Sequence, residues 1–128
     1  MQLVRDPSQF DVIVTGNLFG DILSDLTAEL VGGMGIAPSA NINPETGRGM
    51  FEPVHGTAPD IAGRGLVNPI GAILRASMMV RHLGQPDMAS SIERAVEAAV
   101  RAGDTTRDIG GSLSTAECGV AIVRRLKG

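Results

Sequence analysis

The stretch from Gly33 to Asn68 most constrains how this chain can fold. It is dense in Gly, Pro, Asn and Thr, and no sustained helical or alternating pattern runs through it. Within it, Gly49-Met50-Phe51-Glu52 reads as a short strand and the rest as ordered loop. A loop this long inside a compact domain is usually functional or disordered. The His, Asp and Glu within this one favour function over a linker.

Regular elements are expected on both sides of it. Met1 to Arg5 reads as the last turn of a helix stopped before Pro7, with no start of its own. Phe10-Asp11-Val12-Ile13-Val14-Thr15 is apolar and β-branched without strict alternation, the pattern of a buried strand in a parallel sheet. Phe19, Ile22, Leu23, Leu26 and Leu30 recur at helical spacing, and that helix should end near Gly32-Gly33. Asn68-Pro69 opens another helix, with Asn as N-cap and Pro at the first position. Its core face is Ile70, Ile73, Leu74, Ser77 and Met78, and it ends at His82-Leu83-Gly84. Asp87 is expected to cap the next helix, which turns Ile92, Ala95, Val96 and Ala99 inward. Ser114-Thr115-Ala116-Glu117 is a capping box that starts a last helix through Ile122, Val123 and Leu126. The fold class is therefore α/β, with few strands and mostly helices.

Composition narrows the function. The 128 residues fit one domain with a real core, and 43% hydrophobic and 20% charged residues are normal for a soluble globular protein. A net charge of −3 is too small, and of the wrong sign, for a nucleic-acid binder. No apolar run reaches the length of a membrane span, and the first residues lack a signal-peptide pattern. With a single cysteine, Cys118, no internal disulfide can form. The expected location is cytoplasmic, with no membrane or nucleic-acid partner. The chain has no tyrosine or tryptophan, and its one lysine, Lys127, lies next to the end. A mechanism that needs a Tyr acid or an interior Lys base cannot be complete here.

Two constellations could carry chemistry. Asp21 and Asp25 stand four apart at the start of a helix, so their carboxylates share a face. Hard oxygen ligands so placed can hold Mg²⁺ or Mn²⁺, or accept a proton. Acidic residues near a helix start also simply favour its dipole, and spacing alone leaves both possibilities open. The second is the loop Glu52-Pro53-Val54-His55-Gly56-Thr57-Ala58-Pro59-Asp60-Ile61-Ala62-Gly63. Its small residues let a ligand approach the main chain, its N–H groups can cradle phosphate, and an aspartate can take both hydroxyls of a ribose. By composition it is equally an ordinary turn-rich loop. Gly33-Met34-Gly35 holds only part of the dinucleotide fingerprint and follows a helix instead of a strand, so a Rossmann fold is rejected. His82 at a helix end suits the dipole and reads as structural. Cys118 among apolar neighbours reads as a small core residue, and Met78 and Met79 as core filling.

Together these words are more than spacing. Asn17-Leu18-Phe19-Gly20-Asp21-Ile22-Leu23-Ser24-Asp25 resembles the metal-site signature of the β-decarboxylating dehydrogenases, the family of isopropylmalate, homoisocitrate, isocitrate, tartrate and D-malate dehydrogenases. Phe51 to Gly63 resembles its cofactor loop, Leu66-Val67-Asn68-Pro69-Ile70 follows in order, and Thr106-Arg107-Asp108-Ile109-Gly110-Gly111 resembles its last turn. The match spans essentially the whole chain.

The resemblance implies an isopropylmalate dehydrogenase-like fold, incomplete and limited to the carboxy-terminal part. Residues 1–33 would end the second, metal and dimer domain, and residues 34–128 would be the return half of the first, cofactor-loop domain. The activity implied is NAD-dependent oxidative decarboxylation of a 3-substituted malate, isopropylmalate first, with tartrate, D-malate, homoisocitrate or isocitrate as alternatives. Asp21 and Asp25 would bind Mg²⁺ or Mn²⁺, which makes Asp21 the catalytic assignment as well. His55 and Asn68 would contact adenine, Gly56, Thr57 and Ala58 would lie along the phosphates, Asp60 would take the adenosine ribose, and Glu52 would lie towards the nicotinamide. Asp60 with Ile61 suits a free 2′-hydroxyl and so NAD. The family's third metal aspartate, catalytic lysine and tyrosine, and substrate arginines match nothing in this sequence. Missing strands should leave apolar faces exposed, and a homodimer or a complementing amino-terminal chain is the expected partner. A non-enzymatic fragment or subunit is the rival expectation.

Overall fold

A computed structural model describes residues 1–33 and 35–127. Met34, the middle of the partial Gly-Met-Gly match and the expected start of the second segment, lies outside the described residues, as does Gly128. The elements are α1 (Gln2–Arg5), α2 (Asn17–Leu30), β1 (Pro38–Ile42), β2 (Gly49–Pro53), α3 (Ile70–His82), α4 (Pro86–Arg101) and α5 (Thr115–Lys127). Short 3-10 turns at Pro7–Gln9 and Arg107–Ile109 complete them.

The core belongs to the last three helices. Ile70, Ala95, Val96, Ala99, Cys118 and Ile122 form one buried cluster, with Ile36, Ile73, Leu74, Ile109 and Leu113 packed against it. Small residues let α3 and α4 approach closely: Ser77 and Ala89 are both fully buried, and the Ser77 hydroxyl lies 3.1 Å from the Ala89 carbonyl. The same hydroxyl lies 2.7 Å from Glu93 Oε1, and Arg81 donates to both Glu93 oxygens at 2.8 and 2.7 Å. The Arg81 guanidinium, then the Ser77 hydroxyl, hold the Glu93 carboxyl below its ordinary range.

Local chemistry sets the helix ends. The Ile70 N–H donates to Asn68 Oδ1 at 2.9 Å, so Asn68 caps α3 as expected although the regular helix begins one residue later. Ser114 and Glu117 form the expected reciprocal box, with Ser114 N–H donating to Glu117 Oε2 at 2.8 Å and Glu117 N–H to Ser114 Oγ at 3.3 Å. Those Ser114 donors hold the Glu117 carboxyl below its ordinary range. Asp87 does not cap α4: Pro86 opens the helix and Asp87 sits in its first turn without a cap hydrogen bond. Its charge still lies at the favourable end of the dipole. Met79 is not core filling either, being 41% exposed.

The long loop holds one more strand than expected. β1 pairs antiparallel with β2 in the register Pro38↔Pro53, Ala40↔Phe51, Ile42↔Gly49, the one sheet among the described residues. An Asx turn closes the hairpin, with Asn43 Oδ1 accepting from Glu45 and Thr46 N–H at 2.9 and 3.0 Å. His82 Nε2 donates to the Gly47 carbonyl at 2.7 Å and its ring lies 5.5 Å from that of Phe51. The hairpin is thereby clasped to the end of α3, and His82 is structural as expected.

The strand expected at Phe10 to Thr15 does not form. Val12 and Val14 are 81% and 92% exposed. A parallel strand needs neighbours on its edges to accept and donate its main-chain bonds, and no described strand lies beside it. The same want of a neighbour shows on α2. Its apolar spacing is as expected, yet Leu18, Phe19, Ile22, Leu26 and Leu30 all remain exposed.

Two close main-chain approaches fix the loops around the core. A Cβ on Gly71 would sit 2.9 Å from the Gly35 carbonyl, and one on Gly111 would sit 1.9 Å from the Thr105 carbonyl. The latter contact is backbone against backbone and cannot be relieved by a side-chain rotation. Gly111→Ala should therefore destabilise the chain by ~3 kcal/mol. Gly119, in α5 with open space where a Cβ would go, should instead gain ~0.5–1 kcal/mol as Ala. Urea denaturation of both variants reads the two signs directly.

Candidate functional site

The segment after β2 folds back across the amino end of α3 and leaves an open cleft of about 700 Å³. His55, Gly56, Thr57, Ala58, Ile61, Leu66, Val67 and Asn68 line one side of it; Glu29, Gly32, Gly33, Gly35 and Asp108 line the rest. Three anchors hold its walls. Val54 N–H donates to the Ala37 carbonyl at 3.2 Å, Gly71 N–H to the Gly35 carbonyl at 3.0 Å, and Thr115 N–H to the Gly65 carbonyl at 2.8 Å. Hairpin, α3 and α5 thus each fix one part of the loop.

Of the residues singled out in the sequence, the structure gathers His55, Gly56, Thr57, Ala58 and Asn68 around this one cleft. Gly56 and Thr57 are exposed, so a ligand can reach their main chain. His55 Nδ1 lies 3.0 Å from the Gly56 carbonyl. A carbonyl only accepts, so Nδ1 carries a proton, and in the neutral ring Nε2 is left to accept from a donor on a ligand. Ala58 has φ +42° immediately before Pro59, a conformation disfavoured for a residue with a Cβ and found mostly where a loop has a task. Asp60 and Glu52 are exposed and do not line the cleft: Asp60 lies on the turn leading to Ile61, and Glu52 on β2.

Asn68 is 4% exposed, and its amide is used at both ends. Besides the cap to Ile70, its Nδ2 donates to Asp108 Oδ2 at 2.9 Å. Asp108 Oδ1 in turn accepts from the buried Thr106 hydroxyl at 2.6 Å. Sequence reasoning placed Asp108 within a recognised turn and gave it no role. The available signal was a Thr and an Asp two apart in a short loop, where a buried hydroxyl needs a partner close by. Nearby Cys118 is fully buried. Burial first, then the Asp108 and Asp104 charges, push its thiol up, which fits a core residue and not a nucleophile.

Asp21 and Asp25 lie on exposed positions of α2, away from this cleft. Asn17 Nδ2 donates to Asp21 Oδ2 at 3.2 Å. Among the described residues no group of three or more His, Cys, Asp or Glu side chains could hold a metal ion. The donors are the right hard oxygens for Mg²⁺ or Mn²⁺, but too few to displace most of the ion's water.

Order and spacing of these words decide the family. A family model described as isocitrate/isopropylmalate dehydrogenase matches residues 1–122. The chain belongs to that family. The 3-isopropylmalate dehydrogenase of Zymomonas mobilis is 54% identical over 127 residues, covering 98% of this chain and 36% of that protein. The isocitrate/homoisocitrate dehydrogenase of Thermus thermophilus is 54% identical over 127 residues, covering 99% of this chain and 37% of that protein. The crystal structure of isocitrate dehydrogenase from Methylococcus capsulatus superposes with a TM-score of 0.93 at 47% identity, covering 100% of this chain and 38% of that one. The chain spans little more than a third of the length of these relatives. The isocitrate/isopropylmalate dehydrogenases are decarboxylating oxidoreductases, and the expected isopropylmalate dehydrogenase-like α/β fold is present here as a mostly helical portion with one two-stranded sheet. No described helix is long and apolar enough to cross a membrane.

Two carboxylates on an exposed helix face should bind Mn²⁺ with a Kd no tighter than about 1 mM. Electron paramagnetic resonance of free Mn²⁺ during titration measures it, and saturation in the micromolar range would contradict it.

Proposed function

We propose that this chain is the cofactor-side portion of an NAD-dependent dehydrogenase that oxidises and decarboxylates a 3-substituted malate, with 3-isopropylmalate the first choice of substrate. The observation that carries the proposal is the convergence of His55, Gly56, Thr57, Ala58 and Asn68 on one cleft. Its volume of about 700 Å³ falls in the range of small-molecule sites. His55 Nε2 offers an acceptor and Asn68 a donor to the edge of an adenine. The exposed main chain at Gly56 and Thr57 suits phosphates, and Asp60, on the exposed turn next to Ile61, would take the ribose hydroxyls. A 2′-phosphate would meet the Asp60 charge, which favours NAD over NADP.

Asp21 and Asp25 would supply two of the ligands for Mg²⁺ or Mn²⁺ and so orient the substrate hydroxyl and carboxylate. When bound, the nucleotide supplies the hydride acceptor and the cation the Lewis acid. Glu52 would lie towards the nicotinamide end. Residues 34–128 would form the return half of the cofactor-loop domain, and residues 1–33 the end of the metal domain. A second copy, or a chain carrying the amino-terminal part, would cover the exposed side of α2. The names of the relatives also admit isocitrate or homoisocitrate as substrate, and tartrate and D-malate remain alternatives. A cytoplasmic location fits a small-metabolite enzyme of this kind.

A second reading, a nucleotide-binding portion without turnover, is favoured by one observation: the chain has no tyrosine and no lysine except Lys127. Both readings require the cleft to bind NAD⁺. Calorimetric titration should show saturable binding of NAD⁺, loss of at least about tenfold in affinity in Asp60→Ala, and weaker binding of NADP⁺. A folded chain that ignores NAD⁺, or an Asp60→Ala variant with unchanged affinity, would overturn the assignment.

A further inference from the structure

Asp108 lines the cleft and also holds its neighbour Asn68 there. The Asn68 amide could be seated either way round, but its two contacts allow one: Oδ1 towards the Ile70 N–H at 2.9 Å and Nδ2 towards Asp108 Oδ2 at 2.9 Å. Turned over, a donor would face a donor and an oxygen would face a carboxylate. Asp108 is itself fixed, because its other oxygen accepts from the Thr106 hydroxyl at 2.6 Å and Thr106 is fully buried. A hydroxyl donating to a carboxylate is a charge-assisted bond, about twice as strong as a neutral one. The Thr106 carbonyl accepts from Gly111 N–H at 3.0 Å, which ties this support to the 105–111 loop. Gly35 closes over the pair: a Cβ there would lie 3.1 Å from Asp108 Oδ2 and 3.3 Å from Asn68 Cβ. The chain Thr106–Asp108–Asn68 therefore runs from a buried hydroxyl to the wall of the cleft.

We propose that Asp108 is a positioning residue for the nucleotide site, acting through Asn68 to present one amide hydrogen in a fixed direction to the base. The inference rests on the nucleotide assignment above. With Oδ1 committed to the cap and one Nδ2 hydrogen committed to Asp108, Asn68 has a single donor left for a ligand. Without Asp108 the cap alone holds the amide, and the remaining donor loses its direction. The loss falls on the adenosine end, so NAD⁺ and AMP should suffer alike.

The test measures NAD⁺ and AMP affinity by calorimetry in the wild type, Asp108→Ala and Asp108→Asn, and follows the Asn68 side-chain amide by ¹⁵N NMR. Asp108→Ala should weaken both ligands about tenfold and collapse the two Asn68 amide proton signals towards each other. Asp108→Asn keeps an oxygen that accepts from Asn68 and an amide that can donate to Thr106 Oγ, so it should stay within about threefold of the wild type. If Asp108→Ala does not fold, Asp108→Ser removes the reach to Asn68 while staying polar and takes its place. Unchanged affinity in the folded Ala or Ser variant overturns the positioning role and leaves the nucleotide assignment intact. An equal loss in Asp108→Asn also overturns it, since charge and not placement would then be what counts. A wild type that binds neither ligand overturns the nucleotide assignment and this inference together.

Discussion

The main-chain crossing of Gly35 over the amino end of α3 is the constraint on which the rest of the cleft depends. Gly71 N–H donates to the Gly35 carbonyl at 3.0 Å, and neither residue has room for a side chain. That approach uses one of the unsatisfied N–H groups of the first helical turn. It also brings Ile36 down onto the core cluster of α3, α4 and α5. With residues 35–37 seated there, β1 starts at Pro38 in register with β2, and β2 delivers His55 to the mouth of the cleft. The loop that looked structureless is thus held by main-chain bonds to three elements. Backbone groups in a buried or half-buried loop need such partners.

What the sequence made legible was governed by local chemistry. Helix ends were readable wherever a side chain supplies the cap, as at Asn68 and Ser114. Asp87 misled because Pro86 already fills the first helical position and leaves no place for a capping carboxylate before it. β1 was invisible because Pro-Ser-Ala-Asn-Ile has low strand propensity and no alternation; its pairing comes from the β2 register and from packing on α3. Phe10 to Thr15 erred in the other direction. Its residues have strand character, but a strand exists only beside another, and none is present. The cleft residues were legible through motif words, whereas Asp108 was not, since its role depends on contacts across forty positions of sequence.

The chain is uneven in how completely it satisfies itself. From residue 35 onward α3, α4 and α5 share a core around Ile70, Val96, Cys118 and Ile122, although Leu83, Met88 and Val120 are exposed. Before it, Val12, Val14, Leu18, Phe19 and Ile22 face solvent. An apolar surface of that kind asks for a cover. Relatives nearly three times as long, with 36–38% of their length matched here, have chain to provide one. The carboxylates of Asp21 and Asp25 sit on that unsatisfied part, and the cleft proposed for the nucleotide sits mostly on the other. The physical contrast between the two regions follows the functional contrast proposed between them: a metal site that needs further ligands, and a cofactor site with its walls already braced.

The central claim is that the cleft is assembled within this chain alone. Mapping backbone amide shifts by NMR during an NAD⁺ titration tests it most directly. The account predicts saturable shifts confined to the cleft lining, at residues 54–61, 66–68, 108–111 and around Glu29, Gly32, Gly33 and Gly35, with Asp21 and Asp25 unmoved in the absence of metal. Shifts centred on Asp21 and Asp25, or no saturable shift in a chain whose spectrum is that of a folded protein, would contradict it.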